Sequence, residues 1–212
     1  MKKPLGIIFD CDGCLLDSEK IFLESVVQYL HKYNIDTNMN DLTSILGKPI
    51  SQIADDLISM FHLNVEKNIF IREEREIFSR KFEDSQLEPM PGLVEFLRNT
   101  KKANIKIAIA SSSSKTYVKN VIQKLGIAEF FDVIVNGEEV EHGKPFPDIY
   151  LLAANLLDLP KKDLVIIEDS HSGIEAGKSS GIFTIGYKGS VVIQNTENAD
   201  ICIESYNQLI WE

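Results

Sequence analysis

Short apolar runs that alternate with amphipathic stretches of helical length are the feature of this sequence that most restricts its fold. The first run, residues 5–9, stops abruptly at Asp10. Such runs are typical of strands buried on both faces, so the alternation predicts an α/β fold with a doubly wound parallel sheet. Further strands are predicted at 105–110, 133–135, 164–167 and 182–186, with a weaker edge strand at 199–203, and helices at 92–101, 115–125, 148–157 and 172–180.

The stretch 18–88 interrupts this alternation, because it contains helical patterns and no β-branched strand run. Apolar residues recur there at helical spacing, for example at Ile53, Leu57 and Phe61. A structureless loop of this length is implausible inside a compact domain, so we expect a helical subdomain inserted after the first strand. The predicted domains are therefore an α/β core at 1–17 and 89–212 and a helical cap at 18–88.

Composition and charge exclude several other classes of protein. The 212 residues are 44% hydrophobic and carry a net charge of −10, which argues against a nucleic-acid partner because such binding usually needs a basic surface. No apolar run approaches the roughly 20 residues that span a bilayer, and the N-terminus lacks a secretory apolar region. Three cysteines cannot form a disulfide framework. We expect a cytoplasmic protein with no membrane partner, and a monomer by default.

Two carboxylates follow the first predicted strand in the segment Asp10-Cys11-Asp12-Gly13. Ligands of doubly wound sheets lie beyond the carboxyl ends of the strands, where these carboxylates can converge on a magnesium ion or accept a phosphoryl group. Gly13 lets the backbone turn tightly and bring its amides toward an anion. A capped turn without catalytic function is the alternative interpretation of this segment.

Hydroxyl groups and a lysine follow other predicted strands. Ser111 and Ser112 begin a run of four serines after the second strand, where hydroxyls and free amides before a helix can hold an anion. One of these serines is also expected to cap the helix. Lys144, in Gly143-Lys144-Pro145, is placed to neutralise phosphate charge, with a solvated surface lysine as the alternative.

A second acidic pair, Glu168 and Asp169, ends the predicted strand at 164–167. If that strand lies beside the first, the carboxylates of both strands surround one point. So much negative charge is costly without compensation and favours a bound divalent cation. A helix cap at Asp169 or Ser170 is the simpler interpretation, and it is compatible with metal binding.

Taken together, these motifs resemble the haloacid dehalogenase-like phosphatase superfamily, whose core is Rossmann-like. The helical insertion is similar to the four-helix cap of the branch that contains β-phosphoglucomutase and phosphoglycolate phosphatase. The resemblance rests on hhhhDxDGxLxDS at 7–18, the strand-end Ser111, GKPxPDxY at 143–150 and hhhEDSxxGxxAG at 166–177.

The resemblance implies a role for each matching residue. Asp10 corresponds to a nucleophile that becomes phosphorylated and Asp12 to the general acid and base, while Ser111 and Lys144 correspond to residues that hold the phosphoryl group. The implied ligands of Mg²⁺ are Asp10, the backbone carbonyl of Asp12, and Asp169, with Glu168 supporting the metal site. The cap is implied to close over the site and contact the rest of the substrate, where Gly47 and Lys48 are candidate binding residues.

Two positions depart from the mutases of this branch. Those enzymes carry a histidine on the first cap helix and a cap arginine that grips a second phosphate. When the sequence is aligned by Asp17 and Gly47, these positions are Phe22 and Ile50. The sequence therefore favours hydrolysis of a small phosphorylated metabolite, a sugar phosphate or phosphoglycolate, over phosphosugar isomerisation. Pyrophosphate and nucleotide monophosphates are less favoured substrates.

Two other functional classes fit part of the pattern. Response-regulator receivers also combine acidic residues, magnesium, a hydroxyl and a lysine, but they lack the inserted cap and the Asp-x-Asp pair. Cys11 and Cys14 form a C-x-x-C that is typical of redox or zinc sites. Since zinc needs two more nearby ligands and a redox motif should open a helix, we interpret these cysteines as packing residues of the loop.

Overall fold

The strands form one parallel sheet in the computed structural model, which describes residues 2–45, 48, 50–190 and 195–211. The order across the sheet is β3-β2-β1-β4-β5-β6. This arrangement confirms the predicted doubly wound α/β fold. The strands are β1 (Gly6–Phe9), β2 (Lys106–Ser111), β3 (Val133–Asn136), β4 (Leu164–Glu168), β5 (Phe183–Tyr187) and β6 (Ile201–Ile203).

The α-helices are α1 (Ser18–His31), α2 (Ile50–Met60), α3 (Lys67–Asp84), α4 (Leu93–Lys102), α5 (Lys115–Lys124), α6 (Asp148–Leu157) and α7 (His171–Ser180). The last four helices belong to the same unit of the chain as the sheet. Ile8, Ala108 and Ile166 on the sheet are fully buried in one apolar cluster with residues of α6, such as Ala153. This packing explains why the strand runs are apolar without interruption. Among the described residues, no helix combines the length and the apolarity that crossing a membrane requires.

The strand order brings the carboxyl ends of three strands together. β1 lies between β2 and β4, and its last residue, Phe9, is in register with Ile109 and Ile167. Asp10 follows Phe9 directly, while Ser111 and Glu168 are the last residues of β2 and β4. The side chains that end these strands therefore lie at one edge of the sheet.

The chain divides into two units, Met1–Asp17 with Leu87–Glu212, and Ser18–Gln86. The second unit contains α1, α2, α3 and a 3₁₀-helix at Met39–Ile45. Tyr29, Leu57 and Phe70 are buried in its own apolar cluster. Phe22 and Ile50 pack against that cluster as partly buried side chains, so both positions that differ from the mutases serve the packing of the helical unit.

Candidate active site

The loop after β1 is tied to β4 and shaped by a glycine. The amide of Asp10 donates to the carbonyl of Ile167 over 2.9 Å, and the Asp10 side chain is buried. Gly13 has a φ of +76°, and a Cβ at this position would lie 1.9 Å from Oδ2 of Asp169. Any side chain at residue 13 would therefore displace the Asp169 carboxylate. The sequence-predicted loop and the second acidic pair do meet in space.

Lys144 joins two of the strand-end carboxylates. Its Nζ donates to Oδ1 of Asp10 over 2.5 Å and to Oε1 of Glu168 over 2.6 Å. A third hydrogen bond, of 3.2 Å, reaches the carbonyl of Ala110 on β2. The Lys144 side chain is only 5% exposed, which rules out the alternative of a solvated surface lysine.

Glu168 is surrounded by hydrogen-bond donors. Oε1 accepts from Lys144 and from the hydroxyl of Tyr150 over 3.0 Å, and Oε2 accepts from the amide and the hydroxyl of Ser170 over 2.8 and 3.0 Å. A Cβ on Gly173 would lie 1.6 Å from Oε1, so this glycine leaves the space that the carboxylate fills. With both oxygens in use, Glu168 is held in one orientation.

The charges of this cluster act on one another at close range. Burial raises the pKa of Asp10 to about 7, against the opposing charge of Lys144. Burial alone would lower the pKa of Lys144, but the charges of Asp10 and Glu168 outweigh it and hold that pKa well above its usual range. Lys144 therefore stays an ammonium. A divalent cation next to Asp10 would favour its carboxylate form for the same electrostatic reason as Lys144.

Asp12 has different neighbours from the carboxylates around Lys144. Its Oδ2 accepts from the hydroxyl of Ser113 over 3.0 Å, and its Oδ1 accepts from the hydroxyl of Tyr117 over 2.8 Å. Both donors come from the segment that follows β2. Their hydroxyls thus fix the orientation of the Asp12 carboxyl group.

The serines after β2 make different contacts. Ser111 is buried at the strand end, and its hydroxyl accepts from the amide of Ser113 over 3.1 Å. Ser114 caps α5, because its hydroxyl accepts from the amide of Tyr117, which fulfils the expectation that one serine caps the helix. Ser112 is exposed, and no hydrogen bond described in the structure links it to the strand-end carboxylates.

The two candidate residues of the helical unit are not placed at a site by the structure. Lys48 is exposed, and its Nζ donates to Oδ2 of Asp56 over 2.7 Å. Gly47 lies outside the described residues. Their proposed contact with substrate therefore stays a prediction.

The carboxylate oxygens at the sheet edge are suitable ligands for a magnesium ion. Asp10, Glu168 and Asp169 each offer a carboxylate oxygen, and these atoms lie within 4.8 Å of one another. All three residues are buried, and Mg²⁺ prefers hard oxygen ligands of this kind. Because both oxygens of Glu168 already have donors, Asp10 and Asp169 are the better candidates for direct ligands.

Three contacts of the site were not assigned from the sequence. No role was predicted for Tyr117 or for Tyr150, although Tyr150 ends one of the motifs. Ser113 was predicted only as one hydroxyl of the serine run that could hold an anion, and not as a partner of Asp12. Cys11 and Cys14 are fully buried, and burial raises the pKa of both thiols well above the usual range. This burial agrees with the interpretation of both cysteines as packing residues.

The carboxyl edge of the doubly wound sheet thus carries three buried carboxylates, and Lys144 bridges two of them, Asp10 and Glu168. The profile described as haloacid dehalogenase-like hydrolase matches residues 7–187, and the chain belongs to this family. The prediction of a phosphatase-type hydrolase is thereby confirmed at the level of the family, and relatives carry phosphatase names.

Relatives and solved structures support the same family. The chain is 32% identical over 177 residues to a "Phosphorylated carbohydrates phosphatase" of Thermotoga maritima, covering 84% of this chain and 82% of that protein. It is 33% identical over 191 residues to "Beta-phosphoglucomutase" of Bacillus subtilis, covering 85% and 82%. A crystal structure from Thermotoga maritima, provisionally assigned as a β-phosphoglucomutase, superposes with a TM-score of 0.82 at 29% identity, covering 96% and 94%.

Proposed function

We propose that this protein is a Mg²⁺-dependent phosphatase that hydrolyses a small phosphorylated metabolite through an aspartyl-phosphate on Asp10. The observation that carries the proposal is the bridge from Lys144 to both Asp10 and Glu168 beside Asp169. In this arrangement the ammonium of Lys144 and the carboxylates of Glu168 and Asp169 lie beside the buried carboxylate of Asp10 at the carboxyl edge of the sheet. Such a site suits an anionic group that a carboxylate must approach.

In the first half-reaction, a carboxylate oxygen of Asp10 forms a bond to phosphorus while the bond from phosphorus to the leaving oxygen breaks. Asp12 gives its proton to that leaving oxygen. Lys144 and Ser111 hold the phosphoryl oxygens. Gly13 was expected to turn an amide toward this group, but its own amide donates to the carbonyl of Leu16 over 2.9 Å, so the glycine contributes the shape of the loop. Asp10, Asp169 and the backbone carbonyl of Asp12 would hold Mg²⁺, with Glu168 in support. The bound ion would supply positive charge that offsets the repulsion between carboxylate and phosphate.

In the second half-reaction, Asp12 as a carboxylate takes a proton from water while the water oxygen bonds to phosphorus. The bond from Asp10 to phosphorus breaks, and inorganic phosphate and the free Asp10 carboxylate result. Asp12 ends protonated, so it is ready for the next first half-reaction. Each cycle therefore needs Asp12 to lose and regain one proton.

Sugar phosphates and phosphoglycolate are the proposed substrate classes, which the carbohydrate-phosphatase relative supports. We propose that residues 18–88 act as the helical cap that selects among them, with Gly47 and Lys48 as candidate contacts. A cytoplasmic monomer whose partner is the metabolite alone remains our prediction.

The test is phosphate release from a panel of hexose and pentose phosphates, phosphoglycolate, nucleotide monophosphates and pyrophosphate, with Mg²⁺ or with EDTA. Asp10→Asn should abolish release, because an amide is not a nucleophile for phosphorus. Asp158→Asn is the matched control, since Asp158 is exposed and its left-handed backbone, with a φ of 53°, tolerates asparagine. Retained turnover in Asp10→Asn would overturn the nucleophile assignment.

A phosphosugar mutase is the second candidate, because a relative at 33% identity is named β-phosphoglucomutase. Against it, Phe22 and Ile50 stand where the mutases have polar groups, and both pack against the apolar cluster of the helical unit. Incubation with β-glucose 1-phosphate decides between the two. Formation of glucose 6-phosphate without release of phosphate would identify a mutase.

A further inference from the structure

Both oxygens of the Asp12 carboxyl group are held by hydroxyl groups. Ser113 donates to Oδ2 over 3.0 Å and Tyr117 donates to Oδ1 over 2.8 Å, although they lie 101 and 105 residues further along the chain. Both donors come from the turn after β2 and the first turn of α5. The pair thus links the loop of the proposed acid and base to a neighbouring strand.

Helix capping does not account for these two hydroxyls. The N-cap of α5 is Ser114, whose hydroxyl accepts from the amide of Tyr117. The amide of Ser113 is also satisfied, because it donates to the hydroxyl of Ser111. The side-chain hydroxyls of Ser113 and Tyr117 are therefore not needed to start the helix, and both are directed at Asp12 instead.

The kind of donor at Asp12 differs from the kind at Glu168. Glu168 accepts from the hydroxyls of Tyr150 and Ser170, but each of its oxygens also accepts from a group that can only donate, namely the ammonium of Lys144 or the backbone amide of Ser170. Asp12 has no such obligatory donor among its described hydrogen bonds. A hydroxyl can donate to a carboxylate and, after rotation, accept from a carboxylic acid. Hydroxyls are therefore the partners that keep hold of a carboxyl group through a change of its protonation state.

We propose that Ser113 and Tyr117 are positioning residues that hold the Asp12 carboxyl group while it gives a proton to the leaving oxygen and later takes one from water. This inference rests on the proposed function and adds two residues to it. In the first half-reaction the Asp12 proton moves to the leaving oxygen as the phosphorus–oxygen bond breaks and the Asp10–phosphorus bond forms. The hydroxyls then donate to the new carboxylate without any rearrangement of the loop.

The test compares two substrates that differ in their need for a proton. An alkyl phosphomonoester accepted by the wild type leaves as an alkoxide and needs protonation, whereas p-nitrophenyl phosphate leaves as a stable phenolate. Tyr117→Phe and Ser113→Ala should lower kcat/KM for the alkyl ester by about tenfold, which is a part of the roughly 10²–10⁴-fold that general acid catalysis contributes. For p-nitrophenyl phosphate, the nitrophenolate burst rate should change by less than about twofold.

Control variants separate positioning from folding. Ser113→Thr keeps a hydroxyl and should restore the alkyl-ester rate. Thr116→Ala removes an exposed hydroxyl of α5 and should leave the rates with both substrates unchanged. In an Asp12→Asn background, Tyr117→Phe should cause no further loss of the nitrophenolate burst or of the residual alkyl-ester rate, because coupled residues are not additive.

Three results would overturn the inference. They are equal losses on both substrates, a faster alkyl-ester reaction in Tyr117→Phe, and an undiminished effect of Tyr117→Phe in the Asp12→Asn background. The proposed function fails separately, namely if the wild type turns over neither substrate or if Asp10→Asn keeps full activity. The substrate comparison and the Asp10 control therefore distinguish the two failures.

Discussion

Two glutamates, one in each unit of the protein, are almost completely buried in very different surroundings. Glu168 at the sheet edge is 0% exposed and accepts hydrogen bonds from Lys144, Tyr150 and Ser170. Glu74 on α3 is 1% exposed, and its described hydrogen bond joins it to the hydroxyl of Ser25 on α1 over 2.6 Å. A buried carboxylate is costly unless charge and donors compensate it, so the two sites meet the same cost in different ways.

The two glutamates differ in the protonation state that their neighbours favour. Glu168 lies 2.6 Å from the ammonium of Lys144, an opposite charge on the other side of its hydrogen bond. The hydroxyl of Ser25 lies 2.6 Å from both the carbonyl of Phe22 and Oε1 of Glu74, yet it has one proton to donate. If that proton goes to Phe22, Glu74 must be the donor and hence a neutral acid. Burial also raises the pKa of Glu74. The sheet edge compensates its buried carboxylate with a cation, whereas the helical unit is expected to keep its buried glutamate protonated.

Of the variants that test this comparison, Lys144→Met should lose the most stability and activity. It leaves Asp10 and Glu168 buried without their shared cation, and breaking such a buried pair costs about 3–5 kcal/mol. We expect the free energy of unfolding at neutral pH to fall by that amount and turnover to be lost. Urea denaturation and phosphate release measure the two effects.

Lys101→Met is the matched control, because Lys101 pairs with Asp132 over 2.7 Å where the two side chains are 31% and 40% exposed. Exposed pairs contribute about 1 kcal/mol or less. Equal losses of stability in Lys144→Met and Lys101→Met would show that the sheet-edge charges are not held in a water-poor environment, and the comparison would fail.

Gly173→Ala tests whether the orientation of the Glu168 carboxylate depends on the space that Gly173 leaves. The new Cβ would lie 1.6 Å from Oε1 of Glu168, so the carboxylate must move away from Lys144 and Tyr150. Overpacking of this kind costs about 1–3 kcal/mol, and we expect slower turnover together with reduced stability. The control is Ser172→Ala, at an exposed position of the same helix turn. Wild-type activity in Gly173→Ala would mean that the orientation of Glu168 does not matter.

The fold and the backbone positions of the site were predictable, because burial and strand order leave direct marks in the sequence. A strand buried on both faces is apolar throughout and ends where a polar residue reaches the sheet edge, as at Asp10 and Glu168. The helix predicted at 148–157 is α6 (Asp148–Leu157), and the weak run at 199–203 contains β6 (Ile201–Ile203). The insertion predicted at 18–88 has nearly the same bounds as the unit Ser18–Gln86.

Contacts between side chains distant in sequence were not predictable from the same patterns. Whether Tyr117 reaches Asp12 depends on the rotation of α5 relative to β1, and its periodicity only marks which face is apolar. Glu74 illustrates the limit further, since it lies in the charged run 72–76 that predicts a solvated helix face. Its burial follows from the packing of α1 against α3, which composition does not encode.

Glu74→Gln gives the smallest expected effect and tests the protonation part of the comparison. Because the pKa of Glu74 is raised in the folded protein above its ordinary value of 4.5, the wild type loses stability as the pH rises from that value through the folded pKa. Glutamine cannot ionise, and its amide can donate to Ser25 as the neutral acid does. The variant should therefore be more stable than the wild type at neutral pH by about 1 kcal/mol, a typical single-site effect.

The difference in the free energy of unfolding between Glu74→Gln and the wild type should depend on pH. Well below pH 4.5 Glu74 is protonated in both the folded and the unfolded wild type, so the advantage of Glu74→Gln should shrink toward zero as the pH falls through that value. Urea denaturation of both proteins between about pH 3.5 and pH 8 measures it. If Glu74→Gln is the less stable protein at neutral pH, Glu74 is a carboxylate in the fold, Ser25 gives its proton to it, and the helical unit keeps charge as the sheet edge does.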